Sequence, residues 1–274
     1  MVVQHNMQAV NTNRMLGQNV KAVAKSTEKL SSGYQVNRAA DDAAGLSISE
    51  KMRNQIRGIN QAVKNSEDGI SLIQTAEGNM NEIHSILQRM GELATKAAND
   101  VNATEDRTAI QNEITQLGQE IDSISSKAQF NGTKLLTGSF SGKFLQTGAN
   151  AGEEMSISIA TMNAEALSLG AAAASLDMSS HASATSAMTK ITAAIKTVSA
   201  RRSELGAIQN RLDYTINNLE NYSENLTSAE SQIRDTDMAT EMTNYTKNNI
   251  LQQAAQAMLS QANQSTQGVM SLLQ

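Results

Sequence analysis

The chain has 274 residues, a formal net charge of −5, no Pro, no Cys, no Trp and only 3% aromatic residues. Without cysteine there is no disulfide framework and no thiolate metal site, and the modest acidic balance argues against nucleic acid, whose binders carry a basic patch. Aromatic side chains normally dominate core burial; what remains here is Ala, Leu, Ile and Met diluted with Asn, Gln, Ser and Thr, a mixture suited to long, thin helix–helix seams.

The first stretch is amphipathic, with Val3, Met7 and Val10, then Leu16, Val20, Val23 and Leu30 at helical spacing. Its opening "MVVQHNMQAVNTNRML" holds no apolar run of signal-peptide length before its first charges, so any exit from the cell is expected by a route without a cleaved signal. A run of about 20 apolar residues, as a membrane-spanning helix needs, does not occur. The polar, Gly-punctuated stretch "EKLSSGYQVNRAADDAAGLSISEKM" follows. Its Arg38, Asp41 and Asp42 do not fit a calcium loop, which needs carboxylates at alternate positions, then Gly and a distal Glu. Asp42 is expected to cap a helix starting near Ala43. The stretch then reads as a hinge between layers.

From Met52 the apolar positions Ile56, Ile59, Val63, Ile70, Ile73, Met80, Leu87 and Ala94 continue at steps of three and four. A second series joins at Leu72, Ala76, Ile83, Ile86, Met90, Leu93 and Ala97, widening the stripe, so the helix meets more neighbours along its later half. A helix over 43–99 would be about 85 Å long at the α-helical rise. "NDVNATEDR" breaks the pattern with cap and turn residues. Ile110, Ile114, Leu117, Ile121, Ile124 and Ala128 then give a heptad seam.

The middle changes period. "FNGTKLLTGSFSGKFLQTGANAGEEMSISIATM" carries Asn-Gly and further Gly turns, and Met155, Ile157 and Ile159 alternate, predicting a small β-hairpin region around 134–160. The Ala/Ser-rich segment over 160–186 reads as a short connector. Helical spacing resumes at Met188, Ile191, Ile195 and Val198 and runs through Leu205, Ile208, Leu212, Ile216, Leu219, Tyr222, Leu226, Ala229 and Ile233. After the polar break "RDTDMATE" comes a last amphipathic segment with Met238, Met242, Tyr245, Leu251, Ala255, Met258 and Ala262.

The layout is nearly symmetric about the hairpin region. It predicts a mainly α protein: long antiparallel helices forming a rod with coiled-coil-like seams, a small β-hairpin region, and paired terminal helices. The expected divisions are 1–42, 43–186, 187–233 and 234–274. Ordering a terminal segment with one apolar stripe costs about 1–2 kcal/mol per residue, and burial returns roughly 25 cal/mol per Å². Such a segment needs neighbours on several sides, so Val3, Met7, Val10, Leu16, Val20 and Val23, with Leu251, Ala255, Met258 and Ala262, are expected to line polymerisation seams.

Chemistry finds little foothold. His5, His84 and His181 stand far apart without ligand-spaced partners, and no HExxH, phosphate loop or nucleophile elbow occurs. No catalytic, metal-binding or cofactor-binding residue is assigned. Methionines at helical spacing read as seam packing, and the Asn-x-Ser/Thr matches at Asn131 and Asn225 are expected by chance in so Asn/Thr-rich a chain.

"EKLSSGYQVNRAADDAAGLSISEKMRNQIRG", "KNSEDGISLIQTAEGNMNE", "FNGTKLL", "LGAIQNRLDYTINNLENYSENLTSAESQIRDTDMATEM" and "TKNNILQQAAQAMLSQAN" together resemble bacterial flagellin. The resemblance covers about the first 140 and the last 90 residues. It implies terminal helices paired in the inner tube of a filament (1–42 with 234–274), a rod domain with a hairpin outside it (43–186 with 187–233), and no outer variable domains. It further implies a secreted, extracellular subunit exported through the flagellar type III channel. Its expected partners are itself, an export chaperone on the C-terminal segment, the filament cap and the hook-junction proteins. In many flagellins the helix matching "ILQRMGELATKAAND" is recognised by a Toll-like innate receptor, and the matching positions are Gln88, Arg89, Leu93 and Glu113. The usual Val-Arg pair is here Met90-Gly91, which implies weaker receptor activation. A hook–filament junction protein, a coiled-coil signalling rod and a secreted effector or translocator stand as alternatives.

Overall fold

The structure is a computed structural model and describes residues 6–173 and 175–271. Along the chain come α1 (Met7–Ser32), α2 (Ala43–Ala97), α3 (Thr104–Lys127), β1 (Gln129–Phe130), β2 (Thr133–Lys134), β3 (Lys143–Gln146) and β4 (Glu154–Ile157). A 3₁₀ turn (Ala171–Ala173), α4 (His181–Arg234) and α5 (Met238–Ser271) complete it. Mainly α architecture with small antiparallel hairpins is thus what the periodicity predicted. Two compact units form: Met1–Gln55 with Glu224–Gln274, and Ile56–Ser223.

Helix ends follow side-chain chemistry. The Asn6 carboxamide oxygen accepts from the Ala9 N–H at 3.0 Å to start α1. Gly33, at φ 75°, ends that helix and donates its N–H to the Lys29 carbonyl at 2.8 Å. Asp42 caps α2 as expected, its Oδ1 accepting from the Gly45 N–H at 2.9 Å. Ser180 caps α4 through its hydroxyl, which accepts from the Ser183 N–H at 3.2 Å.

In the Ile56–Ser223 unit one continuous apolar cluster is fed by all three long helices. α2 gives Ile73, Met80, Ile83, Leu87 and Met90; α3 gives Ile110, Ile114 and Ile121; α4 gives Ala184, Ile191, Val198, Leu205 and Leu212. The expected hairpin around 134–160 is β3–β4, and a second hairpin, β1–β2, precedes it. Asn131 and Gly132, at φ 47° and 76°, turn β1 into β2. β3 pairs with β4 with Leu145 opposite Met155. The β3–β4 hairpin lies against α2 where that helix lacks side chains. A Cβ at Gly58 would stand 2.9 Å from that of Ala149, and one at Gly69 2.5 Å from Leu145 Cδ2. Between them the Asn65 amide donates to the Gln146 carbonyl at 3.1 Å.

The segment read as a connector is part of this core instead. Met162, Ala164, Leu167, Leu169, Leu176 and Met178 are buried, and α4 already begins at His181. Side chains of α3 pin the segment. Asp122 Oδ1 accepts from the Ala164 N–H at 2.8 Å. Gln111 donates to the Leu176 carbonyl at 2.9 Å and accepts from the Met178 N–H at 2.9 Å. The absence of a local apolar period hid this packing.

The other unit is built differently. α1 and α5 pack closely and antiparallel: the Asn6 amide donates to the Ala262 carbonyl at 2.9 Å, while Lys29 lies 4.0 Å from Glu241 towards the other end. Among the described residues of these two helices, only Ser26 and Ala262 are buried.

Candidate functional site

The covered residues of α1 form a heptad ladder of Ala9, Thr12, Leu16, Asn19, Val23, Ser26 and Leu30, each buried or half-buried. On α5 the corresponding ladder is Glu241, Tyr245, Asn248, Gln252, Ala255, Leu259 and Ala262. Small and amide side chains at these positions let the two backbones approach, and little apolar surface is removed from water. The residues expected in polymerisation seams divide between the α1–α5 ladders and the exposed surface of the two helices. Leu16, Val23, Ala255 and Ala262 belong to the ladders, whereas Met7, Val10, Val20, Leu251 and Met258 are exposed. Val3 lies outside the described residues. Met15, Met238, Met242 and Ile250 extend the exposed apolar surface; Met238 and Met242 stand in the predicted amphipathic series, while Met15 and Ile250 were not picked out by spacing.

The polar stretch after α1 is held by ion pairs and backbone bonds. Arg38 Nε donates to Glu28 Oε1 at 2.8 Å, and the same oxygen accepts from the Asn37 amide at 3.0 Å. Lys25 Nζ stands 2.8 Å from Asp41 Oδ1, while Asp41 Oδ2 accepts from the Arg38 N–H at 3.1 Å. The hydrogen bond from Lys25, then the Arg38 N–H, holds the Asp41 carboxyl below its ordinary value, and Asp41 raises Lys25 in turn. Arg38 and Asp41 thereby tie the loop to α1, and Asp42 serves α2.

The break between α4 and α5 meets the same loop. Tyr34 and Asp235 form an antiparallel bridge; the Gln35 N–H donates to the Arg234 carbonyl at 2.7 Å and the Thr236 N–H to Gly33 at 2.9 Å. Arg234 anchors the junction, with Cζ 4.7 Å from the Tyr34 ring centroid and Nη1 donating to Glu50 at 2.9 Å. Asp237 caps α5, accepting from the Ala239 N–H at 2.9 Å and the Thr240 hydroxyl at 2.8 Å. The Thr240 hydroxyl, with the N–H groups of Thr240 and Ala239, lowers the Asp237 pKa. Sequence reading missed Tyr34, Glu50 and Arg234, whose partnership joins distant segments.

On α2 and α3, Arg89 Nη2 donates to Glu113 Oε1 at 3.0 Å and Nη1 to Glu92 Oε2 at 3.1 Å. Gln88 Nε2 lies 3.1 Å from His84 Nε2. These groups face solvent, but Leu93 sits in the core at 4% exposure. The surface formed is Gln88, Arg89, Glu92 and Glu113, without Leu93. Among the described residues no cluster of three or more His, Cys, Asp or Glu is gathered as a metal would require, and no helix is long and apolar enough to cross a membrane.

Residues 3–141 match the bacterial flagellin N-terminal helical region, and residues 188–273 the bacterial flagellin C-terminal helical region. A flagellin of Halalkalibacterium halodurans is 52% identical over 273 residues, covering 100% of both chains. A Bacillus subtilis flagellin is 49% identical over 305 aligned positions, again covering 100% of each. The crystal structure of Bacillus cereus flagellin superposes with a TM-score of 0.51 at 31% identity, covering 57% of this chain and 88% of that one. Matched at both ends by the family's two helical regions and along its whole length by curated relatives, this chain belongs to the bacterial flagellin family.

Proposed function

We propose that this chain is the repeating structural subunit of an extracellular bacterial flagellar filament, and that the exposed faces of α1 and α5 are where copies meet. The observation that carries the reading is the pair of terminal helices that pack on each other while further apolar side chains stay in water, with Met7 70%, Val10 63% and Met258 62% exposed. The ladder between them is rich in Asn, Gln, Ser, Thr and Ala, so the pair alone offsets little of the ordering cost of about 1–2 kcal/mol per residue. Copies stacked around a common axis would cover those exposed side chains. Family membership at about half identity supports the same role over the junction protein and the signalling rod.

In this reading 1–42 and 234–274 form the inner layer, 43–186 and 187–233 the outer one, and Arg38, Asp41 and Asp42 shape the hinge. The function is mechanical and needs no reaction or cofactor. An export chaperone on the C-terminal segment and the cap and hook-junction proteins complete the set of partners. An innate receptor would meet Gln88, Arg89 and Glu113.

Val10→Asp combined with Met258→Glu tests the seam. The double variant should keep the helical content of the free subunit and lose salt-induced filaments under electron microscopy. Normal filaments from it would reject the assigned face. Discrete dimers from the unaltered chain would instead favour the signalling rod.

A further inference from the structure

Among the described residues, the fully buried and the most exposed methionines fall in different units. In the Ile56–Ser223 unit, Met80, Met90, Met162 and Met178 are 1% exposed or less, and Met155 and Met188 are half-buried. Met7, Met15, Met238, Met242 and Met258 lie on α1 and α5 and are 45–70% exposed. Accessible thioethers oxidise readily, and the product is polar. These five side chains therefore place oxidisable sulfur on the exposed surface of the helices that the filament reading packs against neighbouring copies.

We propose that these five methionines are an oxidation site through which peroxide blocks polymerisation of the free subunit, while finished filament is spared. The inference rests on the filament reading given above. A sulfur lone pair attacks one oxygen of hydrogen peroxide, the O–O bond breaks and an S–O bond forms. The departing hydroxide takes up the proton and leaves as water, so the thioether is oxidised by two electrons and the peroxide reduced. Burying the resulting sulfoxide against a neighbouring copy without a hydrogen-bond partner is unfavourable. In the polymer the same sulfurs are covered and react slowly. A plainer explanation for Met here is that its unbranched side chain adapts to irregular contacts; substitution by Leu, which keeps the apolar surface but cannot be oxidised, separates the two.

The test uses the whole purified chain, treated with hydrogen peroxide before or after assembly. Peptide mass spectrometry locates the added oxygens, and sedimentation with electron microscopy measures polymer. The five named sulfurs should react ahead of the buried Met80, Met90, Met162 and Met178, and the critical concentration of treated subunit should rise by about tenfold or more. Methionine sulfoxide reductase should restore assembly, and filaments treated after assembly should persist. A variant carrying Leu at all five positions should polymerise equally with and without peroxide. Unimpaired assembly of oxidised subunit, equal oxidation of the buried methionines, or no recovery after reductase overturns the proposal. If the Leu variant itself does not assemble, reductase recovery of the natural chain decides the matter. Failure of the untreated natural chain to polymerise would instead strike the filament reading.

Discussion

Gly91 shows how differently two helix-interior glycines can behave. A Cβ added there would meet Ile191 Cγ2 at 3.8 Å, an ordinary contact, whereas one at Gly69 would meet Leu145 at 2.5 Å. Gly58 and Gly69 make room for the β3–β4 hairpin, but Gly91 only weakens α2, by about 1 kcal/mol relative to a good helix former. Gly91→Arg should therefore raise the stability of the subunit by about 1 kcal/mol in thermal unfolding, and it adds a cation beside Gln88 and Arg89. Receptor signalling in a cell reporter assay should rise with it; an unchanged signal would remove the receptor assignment's basis. Sequence spacing alone could not tell these glycines apart, because the difference lies in Ala149 and Leu145, far along the chain. Leu93 was misjudged for a related reason. It sits on the same helix as Arg89, yet its side chain points into the core.

For elements, the helices and their breaks were legible in advance, since apolar spacing and cap residues are local. Asp42 was readable as a cap, and Asp237 serves the same purpose for α5. Which apolar positions of α1 its partner helix covers was not readable, because coverage by α5 depends on residues more than 200 positions away. Caps and ion pairs also set a pH response. Asp41 and Asp237 are both depressed below the ordinary 3.8, so each contributes stability above 3.8 that is lost as pH falls through its lowered folded value. Lys25 runs the other way: its contribution is complete below 10.5 and lost as pH rises through its raised value. Circular dichroism during acid titration should show helix loss below 3.8, and Asp41→Asn should leave the Lys25 contact out of that transition while Asp237 still reports. Loss of helix confined to neutral pH would contradict this origin.

At the scale of the whole molecule, stability is unevenly distributed. The Ile56–Ser223 unit has a continuous buried cluster, and the terminal helices hold two buried residues among those described. Amide exchange in dilute subunit should be slower in 73–97, 110–124 and 184–212 than in α1 and α5 by about a hundredfold or more. Polymerisation should erase the difference. Equal protection of α1 and α5 in the dilute subunit would show that they need no neighbours. The packed stretch before α4 escaped prediction because its order comes from distant partners: Asp122 and Gln111 bind backbone 42 and 67 residues away. Composition signalled seams rather than a wide core, and that much of the interior was readable.

The hydrogen bond from Asn6 to Ala262 also constrains engineering. In the proposed filament α1 and α5 form the inner layer, so foreign protein inserted on either helix would crowd neighbouring copies. Epitopes for display belong instead in the turn between α2 and α3, where Val101 is 88% exposed and ready to carry an insert.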